Sequence, residues 1–230
     1  MLDIATGGGH TAIAFASQSR QVIATDLTRK MLLAAQVHIR DHTVQNISFA
    51  EADAENLPFP DSTFDSITCR IAPHHFPNVE RFMRESWRVL RPRVMLAIAD
   101  IVMSGEAKTA RYANIIDSFR DPSHHQAYSL DDWLTFFFTS GLRVIHSETF
   151  QKETDLEEWA GRIGLVGDDL TRMCVLLAQP VTELANWFQL EVVGTRVALS
   201  ITEAMLVGQK ASTEHTKYIS ANSQSGTEIG

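Results

Sequence analysis

Cysteine is scarce: the 230 residues include two, Cys69 and Cys174. Two thiols cannot build a disulfide framework, and they fit a reducing compartment. Cys69 falls inside an apolar run, which suits a small buried side chain better than a nucleophile. Positive charge is short as well, with 20 Lys and Arg against 28 Asp and Glu and a formal net charge of −8. Binding a phosphate backbone takes clustered cations, so a nucleic-acid partner is not expected. Long hydrophobic runs are missing: nothing approaches the roughly 20 apolar residues that cross a bilayer, and no secretory leader is visible. The default expectation is a cytoplasmic protein. Hydrophobic residues make up an ordinary 44%, enough for the full core of one good-sized domain.

Against this plain background one segment stands out. Asp3-Ile4-Ala5-Thr6-Gly7-Gly8-Gly9-His10-Thr11 runs an acid-bearing strand into a glycine turn, and an apolar helix opens behind it. Glycine lets a ligand lie against bare backbone, and a helix start aims free N–H groups at negative charge. The pattern is that of a nucleotide-type cofactor site. Gly7-x-Gly9-x-x-Ala12 also satisfies the dinucleotide fingerprint, with Asp26 about where a ribose-binding acid should fall. Asp3 counts against that reading, because a carboxylate beside the loop would repel a pyrophosphate. S-adenosylmethionine fits better: its carboxylate suits the glycine turn and its ammonium suits an acid such as Asp3. A third acid, Asp53, follows another short apolar run and could accept a hydrogen bond from an adenine amino group.

Short strand patterns alternate with longer helical ones through the first hundred residues, which indicates a parallel α/β sheet. Strands are expected at 1–5, 21–25, 47–50, 64–70 and 94–99, and helices at about 10–17, 28–41 and 79–90. Thr28 is a candidate N-cap for the second helix, and Pro92 marks the end of the third. Beyond Asp100 helices are expected at 106–119 and from Ser129, a candidate N-cap followed by acids. A strand at 142–150, helices at about 155–163, 168–178 and 181–188, and a last strand at 204–209 complete the pattern. Residues 211–230 are polar and expected to be disordered.

Taken in order, several segments carry a resemblance: Leu2–Gly9, Ala24-Thr25-Asp26-Leu27-Thr28, Ala52-Asp53-Ala54-Glu55-Asn56-Leu57-Pro58-Phe59, Phe64–Arg70, Arg88-Val89-Leu90-Arg91-Pro92 and Glu203–Gly208. The chain resembles the class I S-adenosylmethionine-dependent methyltransferases over residues 1–210, in particular the small-molecule branch that includes the ubiquinone and menaquinone biosynthesis enzymes. The resemblance implies a Rossmann-like α/β fold: a seven-stranded sheet with its last strand antiparallel and helices on both faces. It also implies a cofactor half over 1–100 and a helical substrate-covering insertion over about 104–190. The implied cofactor, S-adenosyl-L-methionine, would be held by Asp3, Ala5, Gly7, Gly9, Asp26, Leu27, Met31, Asp53, Ala54, Arg70 and Ile71. The implied partner is a small-molecule methyl acceptor.

Methyl transfer from a sulfonium needs alignment and exclusion of water, and a general base only when the acceptor holds its proton. His74 and His75, after the fourth strand, are candidates to orient the acceptor or take that proton. His124, His125 and Trp133 would lie on the substrate side, although the aromatic run around Trp133 also suits the core. Adjacent histidines lack the one-turn spacing of helical metal ligands, so no metal is expected. Two departures from the family pattern bear on function. The family carries a helix before the first strand, whereas Met1 already lies in it, so an N-terminal segment is expected to be missing. Arg91-Pro92-Arg93 replaces a Pro-Gly-Gly turn. The alternative is therefore a truncated or degenerate member that serves as a binding or partner subunit.

Overall fold

The computed structural model describes residues 1–42, 44–178, 180–194 and 196–212. The expected disordered tail lies outside the described residues from 213 onward. Along the chain come β1 (Leu2–Ile4), α1 (His10–Ala16), β2 (Val22–Asp26), α2 (Arg29–Arg40), β3 (Ile47–Glu51) and β4 (Phe64–Arg70). A single 3-10 turn (Pro73–His75), α3 (Val79–Val89), β5 (Leu90–Met103) and α4 (Ala107–Arg120) follow. Then come β6 (Tyr128–Ser129), α5 (Leu130–Thr139), β7 (Leu142–Asp155), α6 (Leu156–Gly161), α7 (Gly167–Ala178), α8 (Thr182–Phe188), β8 (Glu191–Val193) and β9 (Arg196–Lys210).

Seven strands form the sheet in the order β3-β2-β1-β4-β5-β9-β7, with β6 added beside β5 and β8 beside β9. Pairing is parallel from β3 to β5, and β9 runs antiparallel to both of its neighbours, as expected. The reversal between β2 and β4 puts β1 at the centre, so its carboxyl end opens at the point where connections diverge to opposite faces. Such a point is where open α/β sheets take their ligands.

Central strands are buried on both faces, and their side chains form the main core. Leu2, Ile4, Ile67, Leu96 and Ile98 meet Phe82 and Met83 of α3, and Trp133 and Phe137 of α5. Helix α3 shows why this face closes: Val79, Phe82, Met83, Ser86 and Val89 form one buried stripe at helical spacing. Each large apolar side chain in that stripe contributes roughly 1.5–3 kcal/mol on burial. Asn78 starts the helix by accepting from the Arg81 amide at 2.9 Å. At its other end, buried Lys210 donates to the Trp87 and Leu90 carbonyls, both at 2.6 Å. Helices α4, α6, α7 and α8 enclose a second core with the first half of β9, including Ile116, Trp159, Met173, Leu184 and Leu199.

Thr28 stands at the N-cap of α2 as expected, with its hydroxyl donating to Asp26 instead of accepting from the helix. Two other local expectations need correction. Pro92 does not mark the end of α3: the helix stops at Val89, and Pro92 already lies in β5. There β4 and β5 pair at Phe64↔Leu90 and next at Ser66↔Met95, so a bulge takes up Arg91 to Val94, where a missing N–H costs no ladder bond. The last strand begins at Arg196 rather than at 204, because β9 continues past the sheet in a long ribbon with β7.

Candidate functional site

A cleft of about 500 Å³ opens at the carboxyl edge of β1, β2 and β4. Ala5 and Gly7 supply one wall, Asp26, Leu27, Thr28 and Met31 the second, and Ala52 to Glu55 the third. Ile71, Ala72, His75, Phe76, Pro77 and Ser123 close the far end. Two non-glycine residues at the strand ends have left-handed backbone, Ala5 at φ 51° and Ile71 at φ 49°. For a β-branched residue this conformation is strained, and such strain collects where function demands a particular backbone path. Ile71 is held there by its amide, which donates to the Ala99 carbonyl at 2.7 Å.

Asp3 does not face this cleft. It is buried, and its carboxylate oxygens accept from the Thr6 hydroxyl at 2.6 Å and the Thr68 hydroxyl at 2.8 Å. Burial pushes its carboxyl above the ordinary value, against the pull of those hydroxyl bonds. Asp3 thus braces the glycine turn from behind. Gly7 (φ 53°) lines the cleft, with only a Met31 methyl within 4 Å of where a Cβ would stand. Gly9 does something else. At φ 79° it precedes α1, and a Cβ there would come within 2.8 Å of Ile39, so it lets α1 pack on α2.

Asp26 is the best-anchored acid of the cleft. One oxygen accepts from the Gly7 amide at 3.1 Å, and the other from the Thr28 amide at 3.0 Å and its hydroxyl at 3.1 Å. These three donors leave about one lone pair of the carboxylate free, on the oxygen bound to Gly7, enough to accept from one hydroxyl. Asp53 orders the next turn by accepting from the Glu55 amide at 2.8 Å. Leu27, Met31, Ala54 and Ile71 line the cleft, whereas the Arg70 side chain turns into a separate groove beside His10, Thr11 and Phe15.

The histidines divide into distinct environments. His74 is buried against Asp100, with Nδ1 at 2.6 Å from one oxygen and its amide at 2.9 Å from the other. Burial alone would lower its pKa, but the Asp100 charge and hydrogen bond outweigh that and raise it. His75 reaches the cleft, with Nδ1 at 3.0 Å from the Ser123 carbonyl. Burial, aided by the neighbouring His74, holds His75 below the ordinary value. His124 is buried with Nε2 at 2.8 Å from Asn114 Oδ1, and burial pushes its pKa down to about 4. His125 is exposed; its amide donates to the His74 carbonyl at 2.9 Å and ties the 121–126 loop to the cleft wall. Trp133 is not at the cleft but fully buried in the core, edge-on to Phe136 and Tyr128. Among the described residues no group of three His, Cys, Asp or Glu is placed to hold a metal ion.

Sequence reasoning passed over Asp100 and Asp117. Asp100 stood at the carboxyl end of a strand, the usual place for a functional acid in this architecture. Asp117 gave no signal, since a lone acid in a polar helix reads as solvent-facing; here it is buried 3.5 Å from Arg120.

Residues 2–98 match the family described as a methyltransferase domain. The uncharacterized methyltransferase YcgJ of Bacillus subtilis is 34% identical over 168 residues, which cover 73% of this chain and 66% of YcgJ. Its crystal structure superposes with a TM-score of 0.86 over 92% of this chain and 91% of that one. The crystal structure of BH2331 from Bacillus halodurans superposes with a TM-score of 0.88 at 32% identity, covering 92% of each chain. The ubiquinone/menaquinone biosynthesis C-methyltransferase UbiE of Rickettsia akari is 32% identical over 99 residues, 40% of each sequence. The chain thus spans about two thirds of the YcgJ sequence, and less than half of UbiE.

Proposed function

Because the chain belongs to the class I S-adenosylmethionine-dependent methyltransferases, we propose that its cleft binds S-adenosyl-L-methionine and transfers the methyl group to a small-molecule acceptor. The observation that carries this reading is the convergence of Gly7, Asp26 and Asp53 from three successive strand ends on one cleft. Asp26 would accept from a ribose hydroxyl, Asp53 and Ala54 would border the adenine, and the Gly7 turn would face the amino-acid end. Bound there, the cofactor supplies a methyl group already activated on sulfur. The protein's part is to align the acceptor and keep water out.

Residues 1–210 act in this reading as one methyltransferase domain. Its cofactor half ends near residue 100, and the helices over about 104–190 form the acceptor side. The separate small core of α4, α6, α7 and α8 supports this division, since it lets that layer vary with the acceptor while the sheet keeps the cofactor. A net charge of −8 favours a small acceptor over a nucleic acid. To test the reading, tritium-labelled S-adenosylmethionine is incubated with the chain and a cell extract, and small molecules, proteins and nucleic acids are counted separately. Label in the small-molecule fraction supports the reading, and label confined to protein or RNA contradicts it.

A further inference from the structure

We propose that His75 is the general base of this site and that the acceptor is an apolar molecule presenting a hydroxyl of phenol or enol type. This rests on the methyltransferase reading of the cleft. It follows from which ring nitrogen is free. The Ser123 carbonyl, 3.0 Å from His75 Nδ1, can only accept. The Ser123 hydroxyl, 3.2 Å from the same nitrogen, gives its hydrogen to Asp121 Oδ1 at 2.6 Å, so it too accepts from His75. Nδ1 therefore carries the proton in the neutral ring, and Nε2 keeps its lone pair. Among the described residues Nε2 has no hydrogen-bond partner, while the half-buried ring lines the cleft. An oriented imidazole with one nitrogen pinned and the other bare is the arrangement a proton acceptor needs.

His74 does not take this part, because its ring is buried against Asp100 and does not line the cleft. Its contribution is positional. Its carbonyl accepts from the His125 and Gln126 amides, both at 2.9 Å, and so fixes the loop that carries Ser123. The wall beside His75 is Ile71, Ala72, Phe76 and Pro77, which suits an apolar ring or chain next to the reacting hydroxyl. In the transfer the acceptor oxygen forms a bond to the methyl carbon as the carbon–sulfur bond breaks, its electron pair staying on sulfur. The hydroxyl proton passes to Nε2, and the resulting imidazolium is stabilised by Asp121 and Asp100. Burial, His74, the Ser123 carbonyl, Asp121 and Asp100 set its titration, and Asp26, Asp53 and Glu55 are the acids on the other walls of the cleft.

The test uses the full chain labelled with nitrogen-15 histidine, with and without S-adenosylhomocysteine. Long-range proton–nitrogen spectra are recorded across neutral pH, and the His75 signals are those lost in His75→Gln. The expected result is a neutral ring at pH 7 with Nδ1 protonated. An Nε2-protonated ring, or an imidazolium at that pH, overturns the proposal. Phenols and enols are then offered as acceptors beside amines of similar size. His75→Gln should reduce transfer to the hydroxyl by about 100-fold or more near neutrality, with recovery as the pH passes the acceptor's own ionisation. A loss that does not change with pH, or transfer to amines alone, overturns it as well. Failure of the unlabelled wild-type chain to bind S-adenosylhomocysteine would instead be a failure of the cofactor reading, and calorimetry reports that separately from the ring's tautomer.

Discussion

The Gly7 amide donates to the Asp26 carboxylate at 3.1 Å, joining the glycine turn after β1 to the end of β2. The acid expected to hold the cofactor's ribose is thus already fixed by the loop expected to face its amino-acid end. Asp26→Ala should weaken S-adenosylhomocysteine binding by about 1–3 kcal/mol, the usual loss for a hydrogen bond to a charged group. Asp26→Asn, which keeps an acceptor oxygen for the Gly7 amide, should lose less. Calorimetry on both variants decides, and unchanged affinity in Asp26→Ala would remove it from the site.

The glycines of the turn should separate by what they control. Gly9→Ala puts a Cβ within 2.8 Å of Ile39 at a left-handed φ of 79°, so it should cost roughly 1–3 kcal/mol of stability. Gly7→Ala meets only a Met31 methyl at 3.9 Å and should be milder for folding, while weakening the cofactor by placing a methyl at the cleft. Urea melts alongside ligand titrations would show the two effects. Equal loss of stability with unchanged affinity in both variants would contradict this division.

Arg93 sits in the bulge of β5 at φ 67°, a conformation that glycine adopts freely and arginine does not. Arg93→Gly should therefore stabilise the fold by about 1 kcal/mol, the cost of a left-handed L-residue being only partly offset by glycine's greater freedom when unfolded. A lower melting temperature in this variant would show that the Arg93 side chain contributes more than its backbone strain removes.

Two buried groups make the fold more stable in mild acid. His74 has its pKa raised on folding, burial being outweighed by Asp100, so its contribution is full below the unfolded value of 6.5 and is lost as pH rises through the higher folded value. Burial lifts Asp117 to about 6 from 3.8, so its proton too is held more tightly by the folded chain, and that stability fades as pH rises toward and through about 6. Below about pH 6.5 these contributions are opposed by His124, held down at about 4, and by His75, so the sign is read on variants: the Asp117 contribution fades between about pH 4 and about 6, and that of His74 above about 6.5. Relative to the wild-type chain, Asp117→Asn should gain stability as pH rises from about 4 to about 6, and His74→Gln as pH rises above about 6.5. A difference from wild type that does not change with pH would contradict the assignment for that residue.

Much of the cofactor half was legible because its signals are local. A glycine turn between a strand and a helix, and acids at successive strand ends, each sit within a few residues. Gly7, Asp26, Leu27, Met31, Asp53, Ala54 and Ile71 accordingly meet at the cleft. The place of Asp3 was not legible, because a strand-end acid looks the same whether it faces a ligand or two threonine hydroxyls from Thr6 and Thr68. The second half was harder. β9 begins well before its expected start: Val197, Leu199 and Ile201 alternate in a first half that pairs with the far part of β7 and packs into the second core, a partnership only the fold shows. His74 and His75 are adjacent in sequence, yet one is sealed against Asp100 and the other lines the cleft; only the fold distinguishes them.

The cofactor claim is tested most directly by titrating the chain with S-adenosylhomocysteine in a calorimeter, with NAD as the control. Micromolar binding of S-adenosylhomocysteine and none of NAD is the expected result. Binding of NAD instead, or of neither ligand, would contradict the assignment of the Gly7–Asp26–Asp53 cleft to S-adenosylmethionine.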